Sequence, residues 1–310
     1  MAHESLIELL KQTFKAWKAD QATRLSAALS FYAIFSLVPV VLILVAILGS
    51  LLDRDSVQQL FIAQLQDNIG QEGAAFIASA LKTENILGPN LFISLVTIGS
   101  LIISAIGIFG HLKTSFNIIW HKESEAKKGF LEIIREHGSS FGIVIVIGLL
   151  FIVSLLLSAS VTVVTNFFQD NLPFPQLFIQ LLNQSVAFGI LTVLFATLFK
   201  LLPDKKIQWT DVWEGAIFTA TLFVIGKFFI GFYITNAAIA TRYGAAGSLI
   251  VILLWIYYST QILFFGAELT KVYTYTYGSL KEEPKKEVTK TAIVVGSFLE
   301  GFIKAIFKRH

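Results

Sequence analysis

The residues with hydrolytic potential gather in one stretch: His111, His121 and His137 with Glu123, Glu125, Glu132 and Glu136. Hydrolysis of a nucleic acid needs a water-filled site with metal-binding carboxylates or a histidine acid–base pair. His121 and Glu125 stand four residues apart, one turn of a helix, but no second ligand set at metal spacing accompanies them. Lysines interleave the group, which reads as a solvated helical face. There is no phosphate-binding glycine loop and no Ser–His–Asp pattern. The absence of cysteine removes thiolate metal sites, disulfides and a cysteine nucleophile. No catalytic or metal residue is assigned, no cofactor is expected, and nucleic acid is not an expected partner.

Charges embedded in apolar runs carry more information, because an ionised group in hydrocarbon is costly and usually faces a cavity or a partner. Lys227 lies well inside an apolar run. It could receive an anionic headgroup in a lateral groove, or extend its stem to the membrane surface. Tyr32 and Ser36 belong to a row of hydroxyls along another run, together with Ser26 and Ser30. They are candidate substrate contacts beside Lys227, although small hydroxyl residues commonly serve helix packing. Glu214, Glu268 and Arg24 sit at the ends of apolar runs at equal expected depth. An Arg24–Glu268 or Arg24–Glu214 pair would neutralise both members, and Glu268 is also a candidate for proton or ion coupling.

The elements that position these residues follow from composition. The 310 residues are 55% hydrophobic and only 15% charged, with a mean hydropathy of +0.71. A soluble domain carries about 25% charged residues, so this is an integral membrane protein. About 20 apolar residues cross a bilayer as a helix. Runs of that length predict six spans near 27–52, 91–110, 141–165, 176–199, 212–235 and 243–267. None alternates as a barrel strand would. The fold class is therefore all-α, a polytopic bundle of six transmembrane helices with amphipathic interfacial helices.

Lysine and arginine set the orientation. Twenty fall in the N-terminal segment, the second and fourth connections and the tail, against three on the other side. Both termini are expected to be cytoplasmic. Residues 1–26 form an amphipathic helix with Leu6, Leu9, Leu10, Phe14 and Trp17 opposite Lys11, Lys15 and Lys18, a pattern suited to an anionic membrane surface. Residues 56–82 predict two short amphipathic helices on the outer side, separated near Gly70 and Gly73. A charged linker over 281–290 leads to a last amphipathic helix over 291–307 in the tail, 271–310.

Several strings are too specific to be generic membrane pattern. They are Arg24-Leu-Ser-Ala-Ala-Leu-Ser-Phe-Tyr-Ala-Ile-Phe-Ser-Leu-Val-Pro39, Phe116-Asn-Ile-Ile-Trp120, Leu202-Pro-Asp204, Trp209 and Gly215-Ala216, then Tyr243-Gly-Ala-Ala-Gly-Ser248, Leu254-Trp-Ile-Tyr257 and Gly266-Ala-Glu-Leu269. Over residues 10–275 the chain resembles the YihY/BrkB family of bacterial inner-membrane proteins. The resemblance implies a six-helix membrane domain with no agreed molecular activity. Members have carried the label "ribonuclease BN" and links to serum resistance and to lipid or lipopolysaccharide handling. The expectation is a bacterial inner-membrane protein that transports or flips an anionic lipid or other amphiphile. Its expected partners are membrane lipids, including an anionic lipid or a lipopolysaccharide precursor. A non-transporting scaffold or regulator is the alternative, and an ion-coupled small-solute carrier the next. A nuclease is disfavoured for the reasons above.

Overall fold

The computed structural model describes residues 2–49, 53–81, 107–121, 176–236, 242–243 and 246–281. Among these there is no strand, and seven helices account for nearly all of them. They are α1 (Ala2–Ala19), α2 (Ala22–Gly49), α3 (Arg54–Leu81), α4 (107–119), α5 (Gln176–Leu201), α6 (Trp209–Asn236) and α7 (Gly247–Thr276). Among the described residues, three stretches are long and apolar enough to cross a membrane: Gln184–Leu201, Trp209–Ile234 and Gly247–Thr276. The first expected span falls in α2, which runs unbroken through Pro39 and holds a shorter apolar stretch, Ala22–Leu37. Most of the expected span at 91–110, all of 141–165, the linker 281–290 and the helix 291–307 lie outside the described residues.

Helix α7 is the centre of the arrangement, packing against α1, α2, α3 and α6, while α5 packs on α6. Lipid is as apolar as leucine, so membrane helices associate where small residues let backbones approach. The α6–α7 contact shows this twice, in reciprocal form. A Cβ added to Gly215 would overlap Thr270 Oγ1 and lie 2.9 Å from Thr270 Cβ; one added to Gly266 would overlap Thr219 Oγ1 in the same way. Each threonine satisfies its hydroxyl within its own helix, Thr219 donating to Gly215 O at 2.6 Å and Thr270 to Gly266 O at 2.8 Å. Further along, Gly226 admits the Tyr258 ring, whose hydroxyl would stand 2.6 Å from an added Cβ.

Two apolar cores flank this contact. The larger joins Leu25 and Leu29 of α2, Phe116 and Ile119 of α4, Phe195 and Phe199 of α5, Ala216 of α6 and Phe264 of α7. Phe116 meets Phe199 and Phe264 with both ring centroids at 6.0 Å. The smaller core sets Val41 and Val45 of α2 and Val57, Phe61 and Ile77 of α3 around Ile252 of α7.

Asp53 caps α3 by accepting the Ser56 N–H at 2.9 Å. The Ser56 side-chain and backbone hydrogen bonds hold its carboxyl below the usual range. Within α3 the helical geometry breaks at Gly70, with φ 79° and ψ 171°, so the segment is two helices meeting at a residue without a Cβ. Helix α1 ends at a reversal where Gln21 adopts φ 52°, and it turns Leu6, Ile7 and Phe14 outward while Thr13 is buried.

Candidate functional site

Four elements converge on one ammonium group. Lys271 Nζ, on the last turns of α7, donates to Asp20 Oδ2 at 2.8 Å and to the Ile119 carbonyl at 2.8 Å, and stands 3.4 Å from His121 Nε2. It also lies 2.6 Å from Glu268 Oε2, one turn back on the same helix. Glu268 is completely buried and the side chains of Lys271 and Asp20 are nearly so, whereas the His121 imidazole is 68% exposed.

Local backbone explains how such distant residues meet. Asp20 sits in the α1–α2 reversal that Gln21 makes at φ 52°, and His121 follows α4 at φ 47°. Left-handed backbone at a residue other than glycine is uncommon and must be held by its surroundings. Here Asp20 and the Ile119 carbonyl, each within two residues of such a position, both meet Lys271 of α7. Glu268, two residues from each of the α6-contact positions Gly266 and Thr270, lies on the other side of α7, beside Lys271 and toward the α1–α2 turn.

The distribution of hydrogen bonds is uneven. Asp20 Oδ2 and Ile119 O accept from the ammonium, and Glu268 Oε2 lies closest to it at 2.6 Å. Glu268 Oε1 is buried with no hydrogen-bond partner among the described residues.

This geometry corrects the expected charge pairing. Arg24 is exposed and makes neither the Glu268 nor the Glu214 pair; Glu214 is exposed as well. The reason is reach: Lys271 is one turn from Glu268 on the same helix, and Asp20, not Arg24, is the α1–α2 residue turned inward. Of the proposed substrate contacts, Ser36 is buried and donates its hydroxyl to the Tyr32 carbonyl of its own helix. Tyr32 is 45% exposed and its ring lies 4.8 Å from that of His111. Lys227 is half-buried on α6. Helix α7 packs against both α2, which carries Tyr32 and Ser36, and α6, which carries Lys227.

Two more polar knots fasten the same end of the bundle. Lys113 pairs with Asp204 at 3.1 Å, and Asn117 exchanges two hydrogen bonds with Asp204, each 2.9 Å. Buried Asp211, at the start of α6, accepts the N–H of Ser279 at 3.0 Å and its hydroxyl at 2.5 Å, closing the turn that follows α7. Sequence reasoning missed Asp20, Lys271 and Asp211 as site or clamp residues. A usable signal was the Glu268–Lys271 spacing of three, which puts opposite charges on one helix face. Nothing local marked Asp20. No group of three or more His, Asp or Glu side chains arranged to hold a metal ion occurs among the described residues.

A family profile described as virulence factor BrkB matches residues 13–291. A UPF0761 membrane protein of Acinetobacter baylyi is 21% identical over 88% of this chain and 67% of its own length. One from Rhodospirillum centenum is 24% identical over 79% of this chain and 53% of its own length. A third, from Alteromonas mediterranea, is 24% identical over 83% and 84%. The chain thus spans about half the length of the Rhodospirillum relative and most of the Alteromonas one. None of these three names states an activity. No solved structure matches. The chain is a membrane protein of the BrkB family.

Proposed function

We propose that this protein moves an amphiphile with an anionic headgroup across or within the bacterial inner membrane, with both termini in the cytoplasm. The reading is carried by the surroundings of Lys227. Its cationic side chain is half-buried on α6, next to the Gly226–Tyr258 contact with α7. Beyond it the rings of Phe228, Phe229, Phe232 and Tyr233 are exposed on the outer surface of the helix. A cation beside a lipid-facing aromatic surface suits a ligand with an acidic head and an apolar tail. An anionic lipid or a lipopolysaccharide precursor has that chemistry.

The test is reconstitution in liposomes with a fluorescent anionic lipid, following its leaflet distribution. Lys227→Arg keeps the charge and retains most of the movement; Lys227→Met abolishes it while the fold persists. Unchanged movement in the Met variant removes Lys227 from the site. Absence of movement in the native protein favours a non-transporting scaffold.

A second reading, an ion-coupled carrier of a small solute, draws on the buried charges around Lys271. In that case uptake of solute into the same liposomes follows an imposed ion gradient and is lost in Glu268→Gln.

A further inference from the structure

We infer that Glu268 is a proton-binding carboxyl, and that the buried Asp20–Lys271–Glu268 centre takes up and releases one proton with His121 as its solvent-facing member. The inference stands apart from the lipid reading above and rests on the count of charges and donors at the centre.

With His121 neutral, the centre holds two carboxylates against one ammonium. Lys271 has three hydrogens. Asp20 Oδ2 and Ile119 O lie at 2.8 Å, Glu268 Oε2 is nearest at 2.6 Å, and His121 Nε2 stands at 3.4 Å. Glu268 therefore meets the ammonium through Oε2 alone. Its other oxygen, Oε1, is buried without a hydrogen-bond partner among the described residues, a state that buried polar groups seldom occupy. One proton resolves both deficits. It removes the excess negative charge, and on Oε1 it turns an oxygen lacking a donor into a donor itself, with the Asp20 carboxylate as the neighbouring acceptor.

The groups around Glu268 narrow the ligand to a proton. Lys271 faces it from its own helix, Asp20 from the α1–α2 turn and His121 from the end of α4. On α6, Asp211 is engaged by Ser279 and Glu214 is exposed. Arg24 of α2 is exposed, and α3 meets α7 at the far end, around Ile252. From α5, Lys200 bonds the Ile207 carbonyl and covers the Trp209 ring at 5.7 Å. A metal cation would sit against the ammonium and lacks a set of three ligands among the described residues. A proton needs neither. The path inward is the exposed imidazole, 3.5 Å from Asp20 Oδ2. Two left-handed residues, Gln21 and His121, lie at this path, and backbone strain of this kind concentrates at working sites.

The experiment is pH-dependent infrared difference spectroscopy of the full-length protein in lipid nanodiscs, without any transported ligand. The native protein is expected to show a protonated-carboxyl C=O band that comes and goes with pH. That band is lost in Glu268→Gln and moves in frequency, without disappearing, in Glu268→Asp. If Glu268→Gln does not fold, the shift in Glu268→Asp alone assigns the band. Native spectra with no such band, or a band untouched by both variants, overturn the inference. A change at fixed pH that follows added sodium but not potassium, and vanishes in Glu268→Gln, also overturns it in favour of a metal-cation site.

Discussion

At the level of single residues, the centre around Lys271 makes unequal demands on its members. Lys271 is the only cation holding two buried carboxylates among the described residues, so Lys271→Met leaves both without a counter-charge. Breaking a buried pair in this way costs about 3–5 kcal/mol. The double variant Lys271→Met with Glu268→Gln removes one stranded charge and should recover part of that loss. Arg24→Ala is expected to change stability by less than about 0.5 kcal/mol, as for an ordinary surface substitution. Thermal unfolding of the four proteins in the same lipid environment checks this. An Arg24 variant as damaged as the Lys271 variant would contradict the assignment.

At the level of elements, the α6–α7 contact depends on the absence of a side chain at two positions and on threonine at two others. Gly215→Ala or Gly266→Ala forces the helices apart and should destabilise by about 1–3 kcal/mol, the usual range for overpacking. Thr270→Ala placed on Gly215→Ala removes the overlapping hydroxyl but leaves its Cβ at 2.9 Å, so rescue is partial. Calorimetric or detergent-denaturation midpoints measure both effects. The turn after α7 gives a second test. Asp211→Ala strands the N–H and hydroxyl of Ser279, with a loss of about 1–3 kcal/mol, whereas Ser279→Ala keeps the N–H bond and loses less. Protease nicking around residue 280 should rise in the first variant before the second. Equal nicking in both would show that Asp211 does not close the turn.

For the molecule as a whole, the distribution of lysine and arginine predicts the side of the membrane on which each connection lies. Reporter fusions at residues 70, 170 and 240 are expected to behave as external, and those at 125, 205 and 285 as cytoplasmic. One reversal breaks the six-span map. The polar knots at Asp20–Lys271, Asn117–Asp204 and Asp211–Ser279 lie with the basic connections, at the end the map assigns to the cytoplasm. The Gly226–Tyr258 contact and the exposed aromatic surface of α6 lie toward the other end.

Membrane residence, helical class and the family were all legible in the sequence, because each depends on near-neighbour quantities: run length, charge frequency and short strings. The structure gives several of those strings a packing role. Gly215 and Gly266 make the close helix contact, Phe116 and Trp120 fill the larger core, and Asn117 grips Asp204 of the Leu202-Pro-Asp204 string. The break at Gly70 was readable for the same local reason, since glycine needs no neighbour to permit positive φ. Charge pairing was different. Equal depth along the membrane made Arg24 a reasonable partner for Glu268, but depth does not specify which way a side chain turns around its helix. That angle depends on left-handed backbone at Gln21 and at His121, and on a lysine one turn from the carboxylate. Asp20 and Lys271 are 251 residues apart in sequence, and only packing of α1, α2 and α4 around α7 makes them neighbours.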